Sequence, residues 1–155
     1  MPSLRRALAL ALALATTPPA QAMPSTFGTV IGNALLCRSQ LDNRYFYDYL
    51  STSFGPPYKR EGGAWWFKLE ATLWGAEVKE VMVSDDTSAL VFIAAVTDST
   101  PQELEAGIRS AQGIVFRARD ASPFPVRVAN PGSTIAYVND KSKIYCAKFK
   151  SMPAR

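Results

Sequence analysis

Between Ala64 and Thr97 the hydrophobic and polar positions fall into three blocks that read as successive β-strands. In the first, Trp65, Phe67, Leu69, Ala71 and Leu73 share one side, and Trp66, Lys68, Glu70, Thr72 and Trp74 share the other. That alternation predicts a strand with one face on a core and one toward water. After Gly75, Glu77 to Ser84 supplies Val78, Val81, Met82 and Val83, but Glu80 and Val81 interrupt the alternation, which predicts a bulge. Asp85-Asp86-Thr87 reads as a turn. Ser88 to Thr97 is apolar at nearly every position, the pattern of a strand covered on both faces, so a helix is expected to lie across it.

The flanking segments switch to helical spacing. Over Thr26–Gln40, Val30, Ala34, Cys37 and Leu41 form a stripe that Ile31 and Leu35 widen. Asp42 or Asn43 caps a second helix with Phe46, Leu50 and Phe54 four apart, and Gly55-Pro56-Pro57 ends it. The polar stretch up to Gly63 reads as a mobile loop. Thr100-Pro101-Gln102-Glu103 is a capping box with proline at the first helical position. The helix it opens carries Leu104, Ile108 and Ala111 on one side and stops at Gly113. Ile114–Arg119, Thr134–Val138 and Lys143–Phe149 then read as strands, with a proline-broken loop and Val126–Ala129 between the first two. The order α-α-β-β-β-α-β-β-β predicts an α+β fold: a mostly antiparallel sheet of five to six strands, with two N-terminal helices and one mid-chain helix packed on one side. In topology alone, with no motif behind it, this order resembles that of small bacterial chaperones for secreted effectors, and fold does not fix function.

The first 22 residues change the picture of compartment. Arg5-Arg6, nine alternating Ala and Leu residues from Ala7 to Ala15, and Ala20-Gln21-Ala22 have the three parts of a secretory signal. The apolar run is too short to span a bilayer, which needs about 20 residues, so no stable membrane insertion is expected after cleavage. Residues 23–155 are expected to form a single domain in the periplasm or outside the cell. There the two cysteines, Cys37 and Cys146, are expected to form one disulfide tying the first helix to the last strand. Without Arg5 and Arg6, 15 basic residues face 13 acidic ones, a balance too even to favour nucleic acid.

Composition also limits the chemistry. There is no histidine, so Ser-His-Asp and Cys-His nucleophile systems and histidine-based zinc sites are excluded. No phosphate-cradling glycine loop is present, and no cofactor or metal is expected. Asp85-Asp86 lacks the six or more oxygen ligands a calcium site needs. A hydrolase using carboxylates alone stays formally open, with nothing to set two of them across a cleft. The aromatic residues are unevenly spread: 10 of the 17 lie between Tyr45 and Trp74. Those outside the apolar stripes suit a contact surface. The sequence thus points to a non-catalytic envelope protein that binds another protein through Tyr47, Tyr58, Trp66 and Trp74, with Lys68 and Glu70 between them. A small-ligand binder, for a glycan or lipid, is the alternative on the same residues.

Overall fold

The computed structural model describes residues 22–151. All but the last residue of the expected signal segment lies outside that range. Eight strands form one antiparallel sheet in the order β1-β2-β3-β4-β8-β7-β6-β5. They are β1 (Lys59–Glu61), β2 (Ala64–Leu73), β3 (Ala76–Ser84), β4 (Leu90–Thr97), β5 (Arg117–Ala118), β6 (Arg127–Ala129), β7 (Ser133–Val138) and β8 (Lys141–Phe149). The chain therefore builds two four-strand meanders, and the long β4–β8 pairing joins them into a single sheet.

The α+β class and the antiparallel sheet agree with the sequence pattern, while the strand number does not. Two of the extra strands are charged or very short. The stretch read as a mobile loop contains β1, which pairs with Ala64–Trp66 of β2. Val126–Ala129 contributes β6, and the expected strand over Ile114–Arg119 shrinks to Arg117–Ala118. Strands this short carry no readable alternation; they exist because a longer neighbour offers a hydrogen-bonding edge. The bulge of β3 falls between Val78 and Glu80, close to its expected place, and β2 has a second irregularity between Lys68 and Ala71.

Three helical segments pack on the sheet. The first is a π-helical stretch, Gly28–Gly32, running into α1 (Asn33–Leu35). It is shorter than its apolar stripe suggested, because Cys37 has a left-handed backbone (φ 57°) that turns the chain toward β8. There Cys37 bonds Cys146, with 5.4 Å between the Cα atoms. Closing a loop of 109 residues stabilises the fold by about 4–5 kcal/mol in the chain-entropy model. The Ser133 hydroxyl of β7 donates to the Leu35 carbonyl at 2.7 Å, satisfying one orphan acceptor at the end of α1.

The second helix, α2 (Asn43–Phe54), is capped by Asp42, whose carboxylate accepts from the Tyr45 amide at 3.0 Å. The third, α3 (Pro101–Gln112), has the complete Thr100–Glu103 capping box and ends at Gly113 in the left-handed region. Its buried side is Pro101, Leu104, Glu105 and Ile108, while Ala111 is exposed. Glu105 can take a buried place because the guanidinium groups of Arg127 and Arg109 both reach its carboxylate.

The buried residues of these segments form one core with the sheet face that carries Phe67, Val81, Ala95, Ile144 and Ile135, which lie in cross-strand register. The opposite face carries no helix among the described residues. The expectation that β4 is covered by elements on both sides is therefore corrected. Ile93 and Ala95 face the helices, whereas Phe92, Ala94 and Val96 are shielded chiefly by side chains of neighbouring strands, including Trp66, Met82 and Tyr145.

Candidate functional site

The helix-free face is assembled by register. Trp66 of β2 stands beside Met82 of β3, Ala94 of β4 and Tyr145 of β8. One step along, Lys68 stands beside Glu80, Val96 and Lys143. A small apolar patch of Ala64, Met82, Ala94 and Val96 is buried at its centre, with Trp66, Phe92 and Tyr145 half-buried around it.

Charge is arranged about two rings. The Lys59 ammonium lies 4.1 Å from the centre of the Trp66 ring and the Lys143 ammonium 5.9 Å from it. Lys68 sits 4.6 Å from the Tyr58 ring, whose hydroxyl donates to Glu80. Partial burial, then the hydrogen bond and charge of Glu80, push the Tyr58 phenol above its ordinary pKa. The Trp66 indole N–H donates to the Glu61 carbonyl at 2.9 Å, which ties the ring to the end of β1. At the far end, a cavity of about 660 Å³ is lined by Lys68, Glu70, Lys79, Glu80, Val96 and Lys141 together with Phe54 and Leu69.

Four of the residues singled out in the sequence, Tyr58, Trp66, Lys68 and Glu70, thus share this region. The other two lie elsewhere. Tyr47 of α2 packs edge-on against Trp65 and Phe67, with ring centres 5.5 and 5.7 Å apart, at the border of the helix-side core. Trp74 occupies the β2–β3 turn with φ 51°, wedged between two close-approaching glycines. A Cβ on Gly32 would stand 3.4 Å from its ring, and one on Gly107 only 2.3 Å from its carbonyl oxygen. Sequence reading missed Lys59, Glu80, Phe92, Lys143 and Tyr145. Lys143 and Tyr145 approach Trp66 only through the β4–β8 pairing, which joins segments about fifty residues apart and has no local signal, whereas Lys59 faces Trp66 from β1, the strand that the pattern did not show, and Glu80 comes through the β2–β3 hairpin.

The Asp85-Asp86 turn is a polar clasp. Asp85 accepts from Arg60 at 2.7 Å and from the Thr87 hydroxyl at 2.6 Å, while Asp86 accepts from Lys150 at 2.6 Å and Asn43 at 3.0 Å. Every strong donor nearby is spent on structure. Among the described residues no group of three or more acidic or cysteine side chains could hold a metal ion.

The geometry defines a single-sheet α+β protein with one face sealed by helices and the other left as a lysine-rimmed aromatic platform. No family model, curated protein or solved structure matches the chain. The Cys37–Cys146 disulfide is compatible with a periplasmic or extracellular setting, and no helix among the described residues is long and apolar enough to cross a membrane.

Proposed function

We propose that this is an exported, non-catalytic binding protein of the bacterial envelope that engages another protein through the helix-free face. Tyr58 and Trp66 are the aromatic anchors, and Lys68 and Glu70, joined by Lys59, Glu80 and Lys143, form the charged rim. The observation that carries this reading is the contrast at β2, where alternate residues either enter the core beneath the helices or stand on a face without a covering element. An apolar centre of buried small side chains, ringed by amphipathic aromatics and charges of both signs, is the composition of a protein-binding surface.

A photo-reactive side chain placed at Lys68 is expected to capture a protein other than a second copy of this chain in the expressing cell, whereas the same group at exposed Tyr45 on α2 is not. Equal capture from both positions, or none at Lys68, would reject the surface. The cavity beside Glu70 keeps a small ligand, glycan or lipid, as the second reading. Quenching of Trp66 fluorescence by such a ligand, with no protein captured, would decide for it.

A further inference from the structure

We infer that two copies of this chain associate by joining their β2 strands edge to edge, extending the two sheets into one. The inference begins with an unequal pairing. β2 runs from Ala64 to Leu73, but β1 covers only Ala64, Trp65 and Trp66. From Phe67 onward the outer edge of β2 has no partner strand among the described residues.

Two observations show that this edge is unsatisfied. The Thr72 amide, which would bond a neighbouring strand, finds only the thioether of Met23 at 3.4 Å, a weak acceptor. A cavity of about 660 Å³ that runs over the open face reaches the same stretch, with Lys68, Leu69 and Glu70 among its walls. A free edge of this length is a template for another strand.

The charge pattern selects a second copy as the occupant. In an antiparallel pairing about a two-fold axis at Leu69, Lys68 of each copy stands opposite Glu70 of the other, and Leu69 meets Leu69. Both charged side chains are exposed, and neither has an ion-pair partner among the described residues, so each is free to make the cross-strand pair. The symmetry makes the Lys68–Glu70 pair occur twice. Beyond Phe67 to Ala71 the edge is taken by β1 at one end and Met23 at the other, so the joined segment is short and the dimer is a reversible one. The joined sheet would set two helix-free faces side by side, but the dimer does not depend on what those faces bind.

The test is sedimentation of the purified protein over a range of concentrations, with Lys68→Glu, Glu70→Lys and the double exchange. Wild type is expected to show a monomer–dimer equilibrium. Each single reversal replaces two attractive pairs by two repulsive ones and is expected to weaken the dimer about tenfold or more. The double exchange restores association, as does an equimolar mixture of the two single variants. A wild type that stays monomeric, or a dimer indifferent to the single reversals, would overturn the inference. Circular dichroism of each variant separates a lost interface from a lost fold, because both positions are exposed in the monomer.

Discussion

The two faces of the sheet are made by the same strands yet follow different rules. On the covered face, Phe67, Val81, Ala95, Ile144 and Ile135 form a row of aliphatic and aromatic groups that the helices seal from water. On the open face the adjacent row is Lys68, Glu80, Val96, Lys143 and Ala136, in which three charged side chains stand among small apolar ones. The first face takes its stability from removal of apolar area, and the second from short-range shielding by long side chains whose heads remain in water. A position in this sheet can be buried for either reason, and only the first reason makes it part of the core.

The disulfide belongs wholly to the covered face, and breaking it is the largest perturbation this contrast predicts. Replacing both Cys37 and Cys146 with serine is expected to cost about 4–5 kcal/mol, because the 109-residue loop regains its freedom in the unfolded chain. Chemical denaturation measures that cost. Hydrogen exchange should show the loss of protection concentrated in α1 and β8, while the Trp66 region keeps its order.

Neighbouring residues on β2 offer a more direct comparison. Phe67 is fully buried among the helices, and its change to alanine is expected to destabilise the fold by about 3–5 kcal/mol. Trp66 is larger but half-buried, and the same change there is expected to cost about 1 kcal/mol. Equal costs at the two positions would mean that the open face is a second core, and its role as a contact surface would fall.

How much of this was legible beforehand can be argued residue by residue. The alternation in β2 assigned Phe67, Leu69 and Ala71 to the core and Lys68 and Glu70 to the outside, because a strand with one wet face writes its orientation into every second position. The Thr100–Glu103 capping box and the Cys37–Cys146 pairing were also readable, since each rests on a few residues of fixed chemistry. Trp74 was not. By parity it belongs with Trp66, but its place is set by a turn with positive φ and by glycines on two different helical segments, and parity ends where the strand does. Tyr47 lies off the apolar stripe of α2 yet finds Trp65, because an aromatic ring reaches sideways to a neighbour that helical spacing does not predict. β4 is apolar in both directions, so its own residues could not say which side the helices take. That choice is made by its partners: Val83 and Cys146 beside Ile93, and Met82 and Tyr145 beside Ala94.

The smallest effect tests where the covered face is anchored to its rim. The side chain of Asp85 is only 3% exposed and accepts from Arg60, which in turn lies 4.5 Å from the Trp65 ring. Hydrogen bonds from Thr87, and then the Arg60 guanidinium, hold its pKa down from 3.8 to about 2. Asp86 is lowered in the same direction by Lys150 and then Asn43, the first residue of α2. A carboxylate whose pKa falls on folding adds stability above the unfolded value, and that stability is lost as pH drops through the folded one. The clasp is therefore expected to act fully at neutral pH and to fade between pH 3.8 and about 2. Asp85→Asn should lower the melting temperature by a few degrees at neutral pH, and the gap to wild type should close across that window. Hydrogen exchange in the same window should show the first turn of α2 loosening before the strands around Trp66, because the clasp holds the helix layer and not the open face. A gap that persists at the acid end would mean that Asp85 acts through packing and not through charge, and the two faces would then share the same source of stability at this corner.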